Sequence, residues 1–497
     1  MSRQGDQARS LIRHARAATP FRSENGQPCA SVATSTDSRR VYPIRSAEFR
    51  DWWINEFFKE NETAPSSAAL RDATRTMEAC SGYTDFPVQR LNHRLSFEGD
   101  PFLPSKILLD LANPRGEVLA ITSHGWNIQN NLLYPFRQFT NVLALPDPIA
   151  PGDAQDAGAL AHPDSLTALR ALLNLPSDGI WHRLLAWISS ALRPNGPYPI
   201  LVISGPPGSG KSFLARVLRT LIDPAAAPLH RLPPRHHELL QLASRNWVLA
   251  FDLVHRIPNK ISEALCAISS GDALETSQPD ARDPIVLQIA RPMILIAPED
   301  ETLTAWTPSR TLANRTLTIR LEPIARPRPE SILWSAFHEI HPAALASLAD
   351  ATSLAMHRIR DIDLGNIPRF LDCASWTAAA APALGMTEAD VTNVFADPKS
   401  IWAGSDPLRQ AIHAILRPTG VWTGETADLL NQLRATVPLA ALPSTPKGLS
   451  QALPSIAGIR VTKTRDMNRR TLTIVRTHDA SQKIRAADGP SELVTPT

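Results

Sequence analysis

One stretch limits the folds open to this chain more than any other: YPILVISGPPGSGKSFLARVLRTLI, Tyr198 to Ile222. ILVIS is a short β-branched run, the pattern of a parallel strand buried on both faces. GPPGSGKS follows at once, and FLARVLRTLI continues with apolar residues at helical spacing. Strand, glycine loop and helix in that order are what a phosphate loop requires, and they predict an α/β fold with a parallel sheet flanked by helices.

The residue types match that chemistry. Gly205, Gly208 and Gly210 permit backbone conformations that turn successive amide hydrogens inward around phosphates. The start of the helix adds its positive end. Lys211 reaches the β and γ phosphates as a point charge, and the Ser212 hydroxyl ligates Mg²⁺. The expected nucleotide-binding set is Gly205, Pro206, Pro207, Gly208, Ser209, Gly210, Lys211, Ser212 and Phe213, for ATP with Mg²⁺. The alternative is a glycine turn that happens to contain Lys-Ser. A second element is WVLAFD, in which Trp247 to Phe251 reads as a strand ending at Asp252, about forty residues after the loop. Its carboxylate can hold Mg²⁺ through water, although an aspartate there can equally cap the next helix.

At 497 residues the chain exceeds one ordinary core. With 43% hydrophobic and 20% charged residues it has the balance of a soluble globular protein. No apolar run approaches the roughly 20 residues of a membrane span, so the expectation is a cytoplasmic protein. Four widely spaced cysteines encode neither a zinc site nor a disulfide framework, and His230, His236 and His237 lack partners at metal-ligand spacing.

Pattern and composition suggest a disordered basic arm over 1–42, an N-terminal α+β domain over 43–150 and the phosphate-loop ATPase domain over 151–400. A winged-helix-like domain over 401–480 and a flexible tail over 481–497 complete the chain. Within the second segment a helix is expected after Ser46, and a small antiparallel sheet with a turn at Asn113 to Gly116. The net charge is only +3, but residues 405–476 hold ten Lys/Arg against four Asp/Glu. Three helices in that segment precede GIRVTKTRDMNRRTLTIVR, which alternates as a hairpin, and together they describe a winged helix. Lys447, Ser450 and Gln451 would then meet a DNA groove, and Lys463, Arg465, Arg469 and Arg470 would sit on phosphates. The alternative is an edge strand protected by charge.

With these passages in place, the chain resembles the helicase-like ATPases of phages and mobile elements, which are related to superfamily 3 helicases within the AAA+ class. The likeness runs from about Tyr42 to Arg476. It is carried by ALRPNGPYPILVISGPPGSGKSFLARVLRTLIDP, RNWVLAFDLVHRIPNKISEALCAISSGDALETS, RPMILIAPED and TLANRTLTIRLEPI. The resemblance implies ATP bound between subunits of a homo-oligomeric ring, with single-stranded or forked DNA passing through its centre. It makes Lys211, Ser212 and Asp252 site residues, and it places Arg315 where an arginine finger reaches a neighbouring subunit; an ion-paired surface arginine is the other reading. It also makes ALETSQPDARDPIVLQ a pore hairpin, with Arg282 against the DNA backbone or merely in a solvated turn.

Two positions depart from the pattern. Leu253 follows Asp252 where a polar or acidic residue is expected, and Ile296 ends the strand RPMILI where an asparagine senses the γ-phosphate. Glu299 or Glu263 would have to compensate. The resemblance therefore implies an ATPase and DNA helicase of a phage or mobile element with weakened hydrolysis. The alternative is a nucleotide-switched DNA-binding protein that unwinds nothing.

Overall fold

A computed structural model describes residues 3–24, 26–35, 38–83, 87–131, 136–137, 139, 141–149, 162–255, 257–276, 285–297, 310–365, 370–396, 407–434, 445–453, 459–466 and 469–476. The chain divides into two compact units, one holding residues 1–298 and 308–400, the other 299–307 and 401–497.

The larger unit begins with α1 (Arg3–Ala17), β1 (Pro20–Ser23), β2 (Pro28–Ser35), β3 (Ser38–Pro43), α2 (Ala47–Asn61), α3 (Ser67–Tyr83) and β4 (Val88–Gln89). The expectation of a disordered arm over 1–42 is thereby corrected. Leu11 and Ala15 of α1 are buried with Phe49, Trp53 and Phe57 of α2, and the Trp53 indole donates to Leu11 O at 2.6 Å. Polar composition concealed this helix because only a narrow stripe of it is apolar, and that stripe gains its stability from tertiary contact. Ser46 caps α2 as expected, its hydroxyl accepting from Phe49 N. Full burial of each of the three aromatic side chains stabilises by about 2 kcal/mol. The strands form a sheet of order β3-β2-β1-β4, with β1 and β4 parallel.

Next comes an antiparallel sheet, β5 (Leu95–Gly99), β6 (Pro104–Asp110), β7 (Glu117–Thr122) and β8 (Gly125–Asn130), in sequential order. Gly116 closes the expected turn with φ of 69°, its N–H donating to Asn113 O at 3.0 Å. Leu95, Ile107, Leu109, Leu119 and Ile121 of this sheet share one hydrophobic core with the helices and strands that follow. A boundary at 150 between separate domains is therefore also corrected: apolar faces on both sides of it close a single core.

The central layer comprises α4 (His162–Leu172), α5 (Asp178–Ala191), β9 (Ile200–Ser204), α6 (Lys211–Ile222), β10 (His230–Arg231), α7 (His236–Ala243), β11 (Leu249–Asp252) and α8 (Asn259–Ser270). It continues with β12 (Ala273–Thr276), β13 (Ile285–Gln288), β14 (Met293–Ile296), α9 (Arg310–Ala313), β15 (Thr316–Arg320), α10 (Glu330–Arg358), α11 (Leu371–Ala380) and α12 (Glu388–Ala396). Five strands form a parallel sheet of order β10-β11-β14-β9-β15. Every residue of β9 is buried, as its β-branched run demands. β12 and β13 pair as a separate antiparallel hairpin.

The smaller unit contains α13 (Pro407–Leu416), β16 (Val421–Gly424), α14 (Thr426–Arg434), α15 (Pro446–Ala452), β17 (Ile459–Asp466) and β18 (Arg469–Arg476). The three helices and the hairpin are present. An added strand, β16, pairs with β18 to give the order β16-β18-β17. Leu408, Ile412, Leu429, Leu433, Leu449, Leu472 and Ile474 fill its core.

Candidate nucleotide site

The glycine loop leaves the carboxyl end of β9 and opens α6. Gly205 has φ of 143°, and a Cβ there would lie 2.6 Å from Leu321 O, so the position admits only glycine. Gly208 and Gly210 are also left-handed, at 75° and 88°. Pro207 and Gly208 are exposed, Pro206 and Gly210 partly so, and Ser209 is fully buried. Asn174, in the turn between α4 and α5, ties the loop down by donating to Ser209 O at 3.2 Å and to Glu322 O at 2.7 Å.

Lys211 folds back into the loop, its ammonium donating to Gly205 O and Pro206 O, both at 2.7 Å. A half-buried cation thus rests on two carbonyls of the loop itself. The Ser212 hydroxyl donates to Asp252 Oδ2 at 3.0 Å. The sheet order makes this contact: β14 alone separates β9 from β11, and all three strands end on the same side.

The far ends of α6 and β11 are fastened as well. Asp223, just past α6, accepts from Trp247 N and Val248 N at 3.0 Å each and from Arg94 Nε at 3.0 Å. One buried carboxylate therefore pins the helix that begins at Lys211 to the strand that ends at Asp252. Such a pair is costly to bury, and breaking one side of it is costlier still.

Leu253 adopts a left-handed φ of 55° and is 42% exposed. Its N–H turns back onto Asp252 Oδ1 at 2.7 Å, so both carboxylate oxygens are held, one by backbone and one by Ser212. A branched residue in this region signals local strain, of about 1–2 kcal/mol. Ile296 is buried in the core and pairs with Ile203 of β9. Glu263 is exposed on α8, and Glu299 falls outside the described residues.

Beside the loop lies a cavity of about 650 Å³ lined by Leu172, Asn174, Phe213, Ile324, Arg326 and Leu333 among others. Phe213 meets Trp334 edge-on at 5.4 Å. Glu330 receives Trp334 Nε1 and pairs with Arg216, and these bonds hold its carboxyl below the usual carboxylate range. No motif signalled Asn174, Asp223 or Trp334, since each acts through residues far away in sequence.

Arg315 sits just before β15, whose Thr316 pairs with Ile200 and whose Arg320 pairs with Ser204. It therefore lies at the opposite end of the sheet from this chain's own loop, about 15 Å along the strands. Its guanidinium donates to the Ser270 hydroxyl beside a second cavity that includes Asn314 and Phe370. Arg282 falls outside the described residues. Lys447 is exposed on α15, and Lys463, exposed on β17, donates to Ser450 O at 3.1 Å. Arg465, Arg469 and Arg470 lie on the hairpin backbone, with side chains outside the described residues.

A parallel five-stranded sheet with this loop at the carboxyl end of a buried inner strand fits an α/β nucleoside-triphosphatase fold. Residues 166–394 match a family described as the actinomycete integrative conjugative element replication protein. Among solved structures the chain is similar to the C-terminal region of NrS-1, at 10% identity and a TM-score of 0.37, covering 94% of this chain and 98% of that one. It is similar also to the active helicase Cch of SCCmec type IV, at 10% identity and a TM-score of 0.44, covering 93% of each. A third likeness, to JCV helicase, has 13% identity and a TM-score of 0.27 over 46% of this chain and 66% of that one. No curated protein matches the chain. Among the described residues no helix is long and apolar enough to cross a membrane.

Proposed function

We propose that this chain is the ATP-binding, helicase-like replication protein of an integrated mobile element, acting on single-stranded or forked DNA. The contact between Ser212 and Asp252 carries the reading, because a hydroxyl and a carboxylate at hydrogen-bond distance beside a lysine-bearing glycine loop form the donor set that holds Mg²⁺ on a triphosphate. Lys211 would leave Gly205 O and Pro206 O for the β and γ phosphates, and the loop amides would take the remaining oxygens. Mg²⁺ held by Ser212 and Asp252 would offset negative charge on the triphosphate. The apolar cavity next to Phe213 has room for a base, which favours a nucleoside triphosphate over a bare phosphate ligand. The family matched over residues 166–394 supports a place in mobile-element replication.

Hydrolysis is expected to be slow. Leu253 supplies no base beside Asp252 and Ile296 no polar contact, and groups of that kind act mainly on the transition state rather than on ground-state affinity. Arg315, remote from the loop of its own chain, suits service to a neighbouring subunit in a ring, where it would complete the site. The order helix, strand, two helices and hairpin in residues 407–476 supports a winged helix, with Lys447 and the hairpin cations on DNA. The apolar replacements at 253 and 296 also favour a second reading, a nucleotide-switched DNA-binding protein without unwinding activity. Nucleotide affinity and turnover of wild type and Lys211→Ala, with and without single-stranded DNA, test the first proposal, and a strand-displacement assay beside a gel shift separates the two. Failure of wild type to bind ATP in the presence of Mg²⁺ defeats both.

A further inference from the structure

Away from the nucleotide site, several segments bring arginines together where the N-terminal strands meet the amino ends of the parallel sheet. Arg137 bridges to Val41, next to Arg40 in β3, and its N–H donates to Asn92 O at 2.9 Å. Asn92 in turn lies between Arg90 and Arg94. Arg245 precedes β11, and Arg291 precedes β14. The guanidinium of Arg90 lies 4.4 Å over the Phe97 ring, that of Arg137 4.4 Å over Phe139, and His93 stacks on Phe139 at 5.6 Å.

Among the described residues little neutralises this group. Among the described residues Arg40, Arg90, Arg137 and Arg245 enter no salt bridge, whereas Asp223 is taken by Arg94. Among the described residues, Glu48 acts on Arg137 and the buried Asp110 on Arg40. Arg291 is buried over Trp247 with only carbonyl partners, Ala243 O, Asn246 O and Ala290 O. The cations feel one another: burial and the charge of Arg245 push Arg137 down, and burial with Arg291 and Arg137 keeps His93 well below its ordinary range. Uncompensated like charges destabilise a fold, so their retention calls for an anionic partner. A guanidinium attracted to a ring face through its charge still carries several N–H donors that can meet phosphate oxygens.

We infer that the surface formed by Arg40, Arg90, Arg137 and Arg245 of the larger unit binds the phosphodiester backbone of single-stranded nucleic acid, at a site separate from the nucleotide loop. Phe97 and Phe139, half-buried beneath Arg90 and Arg137, keep those two guanidinia in place on this face, so the site offers cations for the sugar-phosphate backbone. The inference extends the proposed action on DNA but does not depend on nucleotide binding.

The test uses the full chain without nucleotide and a fluorescein-labelled oligothymidylate, with anisotropy followed over a range of salt concentrations. Charge reversal at Arg90→Glu with Arg137→Glu should weaken binding at least about tenfold and reduce the slope of log K against log salt by about 1.4, as expected for two lost phosphate contacts. Arg90→Lys with Arg137→Lys should keep most of the slope. The exposed Arg245→Glu, which disturbs no described contact, should weaken binding severalfold and serves if the double reversal fails to fold. Affinity for a fluorescent ATP analogue reports separately on the nucleotide site and should be unchanged by Arg245→Glu. Unaltered affinity and salt slope in the folded variants overturns the inference, as does a wild type that binds polyglutamate as tightly as the oligonucleotide.

Discussion

The Ser212 hydroxyl donates to Asp252 Oδ2 across 3.0 Å, joining residues forty positions apart at the mouth of β9. The same carboxylate is steadied by the N–H of Leu253, so its direction is set before any ligand arrives. If that pair holds Mg²⁺, Asp252→Asn retains the shape and loses the charge. Nucleotide affinity measured with excess Mg²⁺ should then fall about tenfold, or 1.4 kcal/mol, while affinity measured in chelator stays within about twofold of wild type. An Asp252→Asn protein whose Mg²⁺ enhancement equals that of wild type would remove the carboxylate from the site.

Lys211 exchanges two carbonyl contacts for phosphate in this account. Charge-assisted hydrogen bonds contribute about 1.5–3 kcal/mol each, so Lys211→Ala should weaken ATP binding by tenfold to a hundredfold or more. Calorimetric titration checks this, and thermal unfolding shows whether the loop still folds.

Gly205 leaves no room for a methyl group, with Leu321 O at 2.6 Å and the Ser209 hydroxyl at 3.0 Å from the Cβ position. The added positive φ makes Gly205→Ala unfavourable on two counts, and a destabilisation of about 2 kcal/mol or more is expected in urea titrations. Gly208→Ala meets nothing within 4 Å and carries only the conformational cost, so it should lose about 1 kcal/mol.

Leu253 allows a test of strain and chemistry at one position. Leu253→Gly relieves the left-handed conformation and should raise stability by a few tenths to about 1 kcal/mol. Leu253→Glu places a carboxylate beside Asp252 and should raise DNA-stimulated turnover at least about tenfold, in keeping with the contribution of a positioned base. Equal turnover in wild type and Leu253→Glu would locate the slow step elsewhere.

His341 on α10 is buried with Nε2 at 3.2 Å from Leu221 O, and burial pushes its pKa down to about 4. An exposed imidazole takes a proton near 6.5, so between these limits the unfolded chain binds more protons than the folded one. Stability therefore rises with pH through this window, is complete above it, and is lost as pH falls from 6.5 toward 4, by on the order of 3 kcal/mol. Urea titrations at several pH values should show the slope in wild type and a shallower one in His341→Gln.

The glycine loop, its strand and its helix could all be read along one line of residues, because each depends on neighbours within a few positions: β-branching before the loop, glycine where φ is positive, and apolar spacing after it. Asp252 was legible for the same reason, as the end of an apolar run. Tertiary structure alone decided the rest. It brought Ser212 against Asp252 through a strand order no local pattern encodes, sent Arg315 to the far end of the sheet, and packed α1, whose narrow apolar stripe acquires meaning only against α2. Asn174 and Asp223 went unread because their partners lie remote in the chain, and the same is true of the arginines at the base of the sheet. Local propensity acts between near neighbours, whereas a buried charge is placed by whichever distant segments close around it.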